Sequence, residues 1–215
     1  MKKDNIKDAL ALYLVTDQRW LNGRKLEEDV EKALQGGVTF VQLREKNTTK
    51  DAFIDQAKRL KTLCHHYQVP LIINDNIEVM LAVDADGVHV GQKDMKAQDV
   101  RKLIGPKKIL GVSARTLEQA QNAQDAGADY LGVGAVFKTN TKTDAKDLNM
   151  DTLKDICTSI NIPVVAIGGI EKDNVDQLKG THISGIAVVS AIMAQENISD
   201  AAKQLKKKVK DIINA

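Results

Sequence analysis

Residues 130–142 join an apolar run to a polar cluster and read Tyr130-Leu131-Gly132-Val133-Gly134-Ala135-Val136-Phe137-Lys138-Thr139-Asn140-Thr141-Lys142. The first eight residues are typical of a strand that is covered on both faces, as in a parallel sheet. Hydroxyl, amide and ammonium groups follow at the C-terminal end of that strand. Parallel α/β folds bind their ligands at this end, so we expect the chemistry at the C-terminal edge of a parallel sheet.

Seven further apolar runs share this pattern, and polar residues follow most of them. They predict strands at Leu12–Thr16, Phe40–Arg44, Leu71–Asn74, Gly87–Val90, Ile109–Val112, Val164–Ile167 and Gly185–Val189. Helical periodicities lie between the strands, at Leu26–Gln35, Lys50–Tyr67, Ile77–Val83, Asp99–Ile104, Leu117–Ala126, Asp151–Ser159, Val175–Lys179 and Asp200–Ile213. Eight βα units in 215 residues predict an α/β fold, a (β/α)8 TIM barrel that forms one domain over residues 1–215.

An open, doubly wound sheet is the competing α/β fold. That fold is favoured when a G-x-G-x-x-G fingerprint follows the first strand, because the glycines let the backbone approach a dinucleotide. The first strand here is followed by Thr16-Asp17-Gln18-Arg19, which contains no glycine. The barrel is therefore the preferred prediction.

The composition excludes several classes of partner. Aromatic residues make up 3% of the chain and the net charge is +2, so we expect neither a base-stacking surface nor a polyanion site. No apolar run is long enough to span a bilayer, and Met1-Lys2-Lys3-Asp4-Asn5 leads into no signal-peptide core. We expect a cytoplasmic protein with no nucleic-acid or membrane partner, in which Cys64 and Cys157 are buried thiols. The sequence leaves open whether the protein forms a homo-oligomer.

Two carboxylates, Asp75 and Asp94, follow neighbouring predicted strands. Strand ends that are adjacent in a parallel barrel bring such side chains together. Mg²⁺ binds through one or two carboxylates and completes its shell with water and substrate phosphates, so the pair predicts a magnesium site. The alternative is that Asp75 caps the helix that begins near Ile77, although Asn76 is also suited to that role.

Two cations follow the second predicted strand in the segment Gln42-Leu43-Arg44-Glu45-Lys46. Because side chains alternate along an extended chain, Gln42, Arg44 and Lys46 point to one side. The guanidinium and ammonium groups suit phosphate oxygens, and the amide suits a neutral heterocycle. The alternative is an internal salt bridge with a neighbouring carboxylate, since buried charge needs a ligand or a counter-ion.

A phosphate site is predicted after the last two strands. Gly168-Gly169-Ile170 follows the seventh strand and Val189-Ser190 ends the eighth. Barrels bind phosphate monoesters at these loops through backbone N–H groups, and glycine lets the backbone come close to the oxygens. The sequence leaves two roles open for His89, support of the site and simple packing. No Ser-His-Asp or zinc-ligand spacing occurs.

The ordered set of strand-end motifs resembles the thiamine phosphate synthase family over nearly the whole chain. The matching segments are Tyr13-Leu14-Val15-Thr16-Asp17, Gln42-Leu43-Arg44-Glu45-Lys46, Ile73-Asn74-Asp75, His89-Val90-Gly91-Gln92-Lys93-Asp94, Gly111-Val112-Ser113, Phe137-Lys138-Thr139-Asn140-Thr141-Lys142, Ala166-Ile167-Gly168-Gly169-Ile170 and Val188-Val189-Ser190-Ala191-Ile192. The resemblance implies a transferase that joins an aminopyrimidine diphosphate to a thiazole phosphate and releases diphosphate.

The resemblance also implies residue roles, which we state as expectations. Asp75 and Asp94 are expected to hold Mg²⁺. The aminopyrimidine diphosphate is expected to contact Gln42, Arg44, Lys46, Asn74, Ser113 and Lys142. The thiazole phosphate is expected to contact Thr139, Thr141, Gly169, Val189 and Ser190, while Leu43, Glu45 and Asn140 lie inside the same motifs and are expected to bind substrate. The catalytic set is expected to be Arg44, Lys46, Ser113 and Lys142.

Two alternatives to this transferase stay open. A thiazole tautomerase has a similar barrel but moves protons and needs no diphosphate clamp. The residues that speak against it are Gln42, Arg44, Lys46, Asp75, Asp94 and Lys142. The second alternative is a non-catalytic barrel that binds a phosphorylated thiazole without converting it.

Overall fold

The computed structural model describes residues 6–139 and 148–214, and its centre is a closed barrel of eight parallel strands. The strands β1 to β8 are Leu12–Val15, Phe40–Leu43, Leu71–Asn74, Gly87–Val90, Ile109–Ala114, Tyr130–Val133, Val164–Ile167 and Gly185–Val188. They pair in chain order, and β8 closes the barrel by pairing with β1, where Leu12 lies beside Ile186. The predicted (β/α)8 barrel is confirmed.

Helices follow most strands and cover the outside of the barrel. In the described residues, α1 to α9 are Ile6–Ala9, Leu26–Gln35, Lys50–His66, Ile77–Ala82, Ala97–Ile104, Leu117–Asp125, Met150–Ser159, Ser190–Met193 and Ile198–Ile213, and short 3-10 helices span Gln18–Trp20 and Val175–Leu178. The sequence patterns missed α1, α8 and the first 3-10 helix, because none is long enough to show a period. None of the described helices combines the length and apolar composition needed to cross a bilayer.

Alternation of side chains along the strands builds two cores. One is an aliphatic layer between the strands and the helices, which includes Leu14, Leu43 and Ile73. The other fills the barrel, where Tyr13, Phe40 and Tyr130 pack with edge-to-face ring contacts. Ile6 of helix α1 and Leu10, which follows the helix, join this inner core at the end where the strands begin. The opposite end of the barrel is left for polar side chains.

Strand β6 is shorter than predicted. The apolar pattern predicted a strand over Tyr130–Phe137, but β6 ends at Val133. Beyond it, the N–H of Val136 donates to the carbonyl of Ile167 at 3.1 Å and that of Phe137 to Gly168 at 3.0 Å. The segment stays apolar because it is buried against the end of β7, so burial rather than strand geometry explains the pattern.

Candidate active site

A cavity of about 750 Å³ opens at the C-terminal ends of the strands. Its volume lies in the range of small-molecule sites. Most of the site residues predicted from the sequence line it: Gln42, Arg44, Glu45, Lys46, Asn74, Asp75, Asp94, Ser113, Thr139, Gly169, Val189 and Ser190. Asn140, Thr141 and Lys142 lie outside the described residues.

Leu43 is the one described member of the predicted set that does not line the cavity. Its side chain is fully buried in the aliphatic layer between the strands and the helices. The reason is alternation: Gln42 points into the barrel, so its strand neighbour points out. A substrate contact through the Leu43 side chain is therefore contradicted by the geometry. Strand β2 also ends at Leu43, one residue earlier than predicted.

Arg44 is held at the cavity wall by Asp17, which follows β1. The guanidinium Nη1 donates to Asp17 Oδ2 at 2.9 Å, and the Arg44 backbone N–H donates to Thr16 Oγ1 at 3.0 Å. Arg19 forms a second ion pair with Asp17 at 2.7 Å. Burial alone would raise the pKa of Asp17, but the hydrogen bonds and charges of Arg19 and Arg44 outweigh it and lower that pKa. Asp17 is thus a carboxylate anchor that the sequence reasoning did not identify.

The Arg44 guanidinium also carries a buried donor. Its Nε is buried and has no hydrogen-bond partner among the described residues. A buried donor without a partner is unfavourable by about 1–3 kcal/mol, and more for a charged group. The internal salt bridge that the sequence left as an alternative is present, between Arg44 and Asp17.

Lys46, Asp75 and Asp94 form a charged cluster on the same side of the cavity. Lys46 Nζ donates to Asp75 Oδ2 at 3.0 Å, and Asp94 Oδ2 accepts from the Gly91 N–H at 2.7 Å. The two carboxyl groups lie within hydrogen-bonding reach of each other. Burial and the neighbouring Asp75 raise the pKa of Asp94, whereas the pKa of Asp75 is lowered because its bonds to Lys46 and Asp94 outweigh burial.

Asp75 is not the helix cap that the sequence left as an alternative. Asn76 is the N-cap of α4, and its side chain accepts from the Val79 N–H at 2.9 Å. Asp75 has a left-handed backbone with φ of 60°, and its N–H donates to the carbonyl of His89 at 2.9 Å. The carboxylate of Asp75 is thereby directed toward Lys46 and Asp94.

Loops after β6, β7 and β8 form the other side of the cavity. Gly168 and Gly169 have φ of 99° and 66°. A Cβ on Gly169 would lie 2.3 Å from the Lys138 carbonyl oxygen, so the two loops touch through backbone alone. Ser190 begins α8, and its Oγ donates to Glu171 Oε1 at 2.9 Å. These residues bring backbone N–H groups and a hydroxyl to one place, which suits a phosphate monoester.

The floor of the cavity is polar and buried, and His89 lies there. Its contacts decide between the two roles left open by the sequence, support of the site and simple packing. This histidine contacts Tyr130 and Ser113, with ring-nitrogen to oxygen distances of 3.0 and 2.9 Å. Tyr130 in turn contacts Tyr13 at 2.8 Å. His89 therefore supports the site rather than filling space. The sequence analysis overlooked Tyr13 and Tyr130. Both occur in strands that are otherwise aliphatic, at positions that face the inside of the barrel, and this could have indicated a buried polar contact.

A sequence model of the TMP-TENI family, described as thiamine monophosphate synthase, matches residues 12–192. The chain belongs to this family. The matched segment contains every site residue predicted above. The thiamine-phosphate synthase of Clostridium tetani is 54% identical over 194 residues, which are 90% of this chain and 93% of the relative. That of Clostridioides difficile is 48% identical over 207 residues, which are 96% and 99% of the two chains.

A solved structure with substantial sequence identity shares the architecture. The thiamine phosphate pyrophosphorylase of Pyrococcus furiosus superposes with a TM-score of 0.90 at 40% sequence identity, covering 97% of this chain and 99% of the other. The resemblance read from the strand-end motifs is therefore confirmed at the level of the thiamine monophosphate synthase family.

Proposed function

We propose that this protein is a thiamine-phosphate synthase, a transferase that joins an aminopyrimidine diphosphate to a thiazole phosphate. A C–N bond forms between the pyrimidine methylene carbon and the thiazole nitrogen. The bond between that carbon and the diphosphate oxygen breaks, and diphosphate leaves with the electron pair. The family and the curated relatives support this activity. We also propose that residues 1–215 form a single barrel domain that works in the cytoplasm, in line with its two free cysteines.

One observation carries the proposal: a single cavity has a cluster of charged groups on one side and a glycine-serine cup on the other. Two phosphorylated substrates that react with each other need two separate anion sites that open into one space. Arg44 and Lys46 belong to the first site, and Gly169 and Ser190 to the second. A site for one phosphorylated ligand would need only the second.

The first site is assigned to the diphosphate. Arg44 and Lys46 both line the cavity, Arg44 as a planar guanidinium and Lys46 as a compact cation. Positive charge fixed near the leaving oxygen stabilises the negative charge that develops there, and it does so without reorganisation during the reaction. Lys142 is assigned to the same task from the sequence.

The carboxylates of Asp75 and Asp94 fit Mg²⁺. Two oxygen donors of like charge lie within hydrogen-bonding reach, beside the cavity and next to the proposed diphosphate site. No group of three or more His, Cys, Asp or Glu ligands occurs in residues 6–139 and 148–214, and Mg²⁺ binds to one or two carboxylates together with substrate phosphates. When bound, the metal ion neutralises charge on the departing diphosphate.

The chain needs no general base in this reaction. The thiazole nitrogen is the nucleophile, and the electron-rich aminopyrimidine stabilises positive charge at its methylene as the diphosphate departs. The protein residues hold the two rings in one cavity, and Arg44 and Lys46 stabilise the leaving group. Such positioning converts an encounter of two substrates into a reaction within one complex. The absence of a catalytic triad in the sequence agrees with this chemistry.

A two-substrate assay tests the proposal. Pyrimidine diphosphate and thiazole phosphate are incubated with the protein, with and without Mg²⁺, and diphosphate and thiamine phosphate are measured. We expect both products in equal amounts, only with both substrates present, and much faster with Mg²⁺. Isomerisation of a thiazole precursor without diphosphate release would identify a tautomerase. Thiazole phosphate binding without turnover would identify a binding barrel, and either result would contradict the proposal.

A further inference from the structure

Five polar side chains form a continuous hydrogen-bonded row across the floor of the cavity, which we call the inner network: Gln42, Tyr13, Tyr130, His89 and Ser113. Gln42 Nε2 contacts the Tyr13 hydroxyl at 2.5 Å, and the Tyr13 and Tyr130 hydroxyls are 2.8 Å apart. Tyr130 contacts His89 Nδ1 at 3.0 Å, and His89 Nε2 contacts Ser113 Oγ at 2.9 Å. Gln42 and Ser113 end the row, and both line the cavity.

The barrel makes room for this row by omitting side chains. A Cβ on Gly111 would lie 2.3 Å from the Tyr130 hydroxyl oxygen and 2.5 Å from His89 Nδ1. A Cβ on Gly132 would lie 3.1 Å from His89 Cε1. In the register of β5 and β6, Gly111 lies beside Tyr130 and Gly132 lies beside Ser113. The space for the contact between Tyr130 and His89 is therefore built by the sequence of two strands.

With His89 neutral, donor counting allows the row two complete arrangements. Each hydroxyl has one hydrogen, and a neutral imidazole has one donor and one acceptor nitrogen. In the first arrangement Gln42 donates to Tyr13, Tyr13 to Tyr130, Tyr130 to His89 Nδ1, and His89 Nε2–H to Ser113. Ser113 is then free to donate into the cavity, and the Gln42 carbonyl oxygen is free to accept.

The second arrangement reverses every bond. Ser113 donates to His89 Nε2, His89 Nδ1–H to Tyr130, Tyr130 to Tyr13, and Tyr13 to the carbonyl oxygen of a flipped Gln42 amide. Gln42 then presents its NH₂ group to the cavity, and Ser113 presents lone pairs. Any mixed arrangement leaves a donor or an acceptor without a partner inside the barrel, where Tyr13 and Tyr130 are 1% and 0% exposed. A defect of that kind is unfavourable.

We propose that, with His89 neutral, the inner network couples the two ends, so that Gln42 and Ser113 present opposite hydrogen-bonding character to the substrate. A heterocycle that contacts both is accepted when it offers one donor and one acceptor, as an amino group beside a ring nitrogen does. Tyr13, Tyr130 and His89 act as positioning residues in this scheme. The inference deepens the proposed function, because it rests on the assignment of Gln42 and Ser113 to the aminopyrimidine.

The first test reads the His89 tautomer in the ligand-free protein by ¹⁵N NMR with labelled histidine. Gln42→Leu removes the partner at one end, so Tyr13 must donate to Tyr130 and His89 should carry its proton on Nε2. Gln42→Glu, in its ionised form, supplies only acceptors, so the row should reverse and the proton should lie on Nδ1. With Tyr130→Phe added, both variants should give the same tautomer. Tyr67→Phe, which removes a phenol outside the barrel, should leave the difference unchanged.

The same tautomer in Gln42→Leu and Gln42→Glu would overturn the proposal, and so would a His89 protonated on both nitrogens in Gln42→Glu. This test needs no turnover, so the inner network and the proposed function can fail separately.

A kinetic test keeps the proposal falsifiable if the glutamate variant does not fold. The double variant Gln42→Leu/Ser113→Ala is compared with the two single variants. Its fold-loss of kcat/KM should differ by about 3-fold or more from the value obtained by multiplying the two single fold-losses. That departure should vanish with Tyr130→Phe and persist with Tyr67→Phe. An equal departure in the Tyr130→Phe protein would mean that the two ends communicate through the substrate alone, and the proposal would be wrong.

Discussion

Replacing Gly169 by alanine tests the proposed thiazole phosphate site, which Gly169 and Ser190 form, separately from the proposed diphosphate site. Gly169 has φ of 66°, and an added Cβ would lie 2.3 Å from the Lys138 carbonyl oxygen and 2.6 Å from that of Phe137. Carbonyl oxygens of a packed loop cannot rotate away as a flexible side chain can. The loops after β6 and β7 must therefore move apart by about 1 Å, since ordinary carbon–oxygen contacts are close to van der Waals distance.

Two terms set the size of the effect on stability. The left-handed backbone is unfavourable for alanine by about 1–2 kcal/mol, and the forced loop movement adds about 1–3 kcal/mol. The sum, about 2–5 kcal/mol, corresponds to a Tm lower by roughly 4–20 °C for a chain of this size. The same movement displaces backbone N–H groups from the phosphate. Loss of one hydrogen bond to a charged group, about 1.5–3 kcal/mol, weakens thiazole phosphate binding about 10- to 150-fold.

Gly180→Ala is the matched control. Gly180 also has positive φ, 78°, but an added Cβ would meet no atom within 4 Å. It should lower Tm by only about 2–8 °C and leave the Kd for thiazole phosphate unchanged. Calorimetry with thiazole phosphate and with pyrimidine diphosphate, each alone, and thermal unfolding of both variants provide the comparison. If Gly169→Ala binds thiazole phosphate as tightly as Gly180→Ala does, the assignment of the cup is refuted.

Three further predictions follow from the charged cluster, the serine of α8 and the thiols. Asp94→Asn should lower kcat by about two to four orders of magnitude, and Asp75→Asn likewise, with partial recovery at high Mg²⁺; near-normal rates at low Mg²⁺ would exclude a metal role. Ser190→Ala should weaken thiazole phosphate binding by about 1–3 kcal/mol and spare pyrimidine diphosphate in calorimetry, whereas equal weakening of both would place the ligands in one site. Burial raises the pKa of Cys64 and of Cys157 to about 12, so the thiolate fraction at pH 8 is roughly three orders of magnitude below that of an ordinary thiol; iodoacetamide should label the urea-unfolded protein rapidly and the native protein slowly by mass spectrometry, and fast native labelling would contradict the burial.

Much of the fold was readable from local patterns. The strands Leu71–Asn74, Gly87–Val90 and Val164–Ile167 and the helix Leu26–Gln35 have the predicted bounds, because buried parallel strands and an amphipathic helix carry strong periodic signals. Most of the candidate site followed from one rule, that polar residues after parallel strands meet at one edge. The rule needs the order of residues along each strand but no knowledge of distances.

The amino-acid sequence by itself determined the barrel, the family and the residue types at each strand end. Only the tertiary structure decided which of those side chains touch. The ion pair of Asp17 and Arg44 joins residues 27 positions apart, and the Tyr13–Tyr130 contact spans 117. It also decided that Leu43 faces the helices while Gln42 faces the cavity. The physical reason is that periodicity reports the environment of one segment, whereas pairing across a barrel depends on the register and closure of all eight strands.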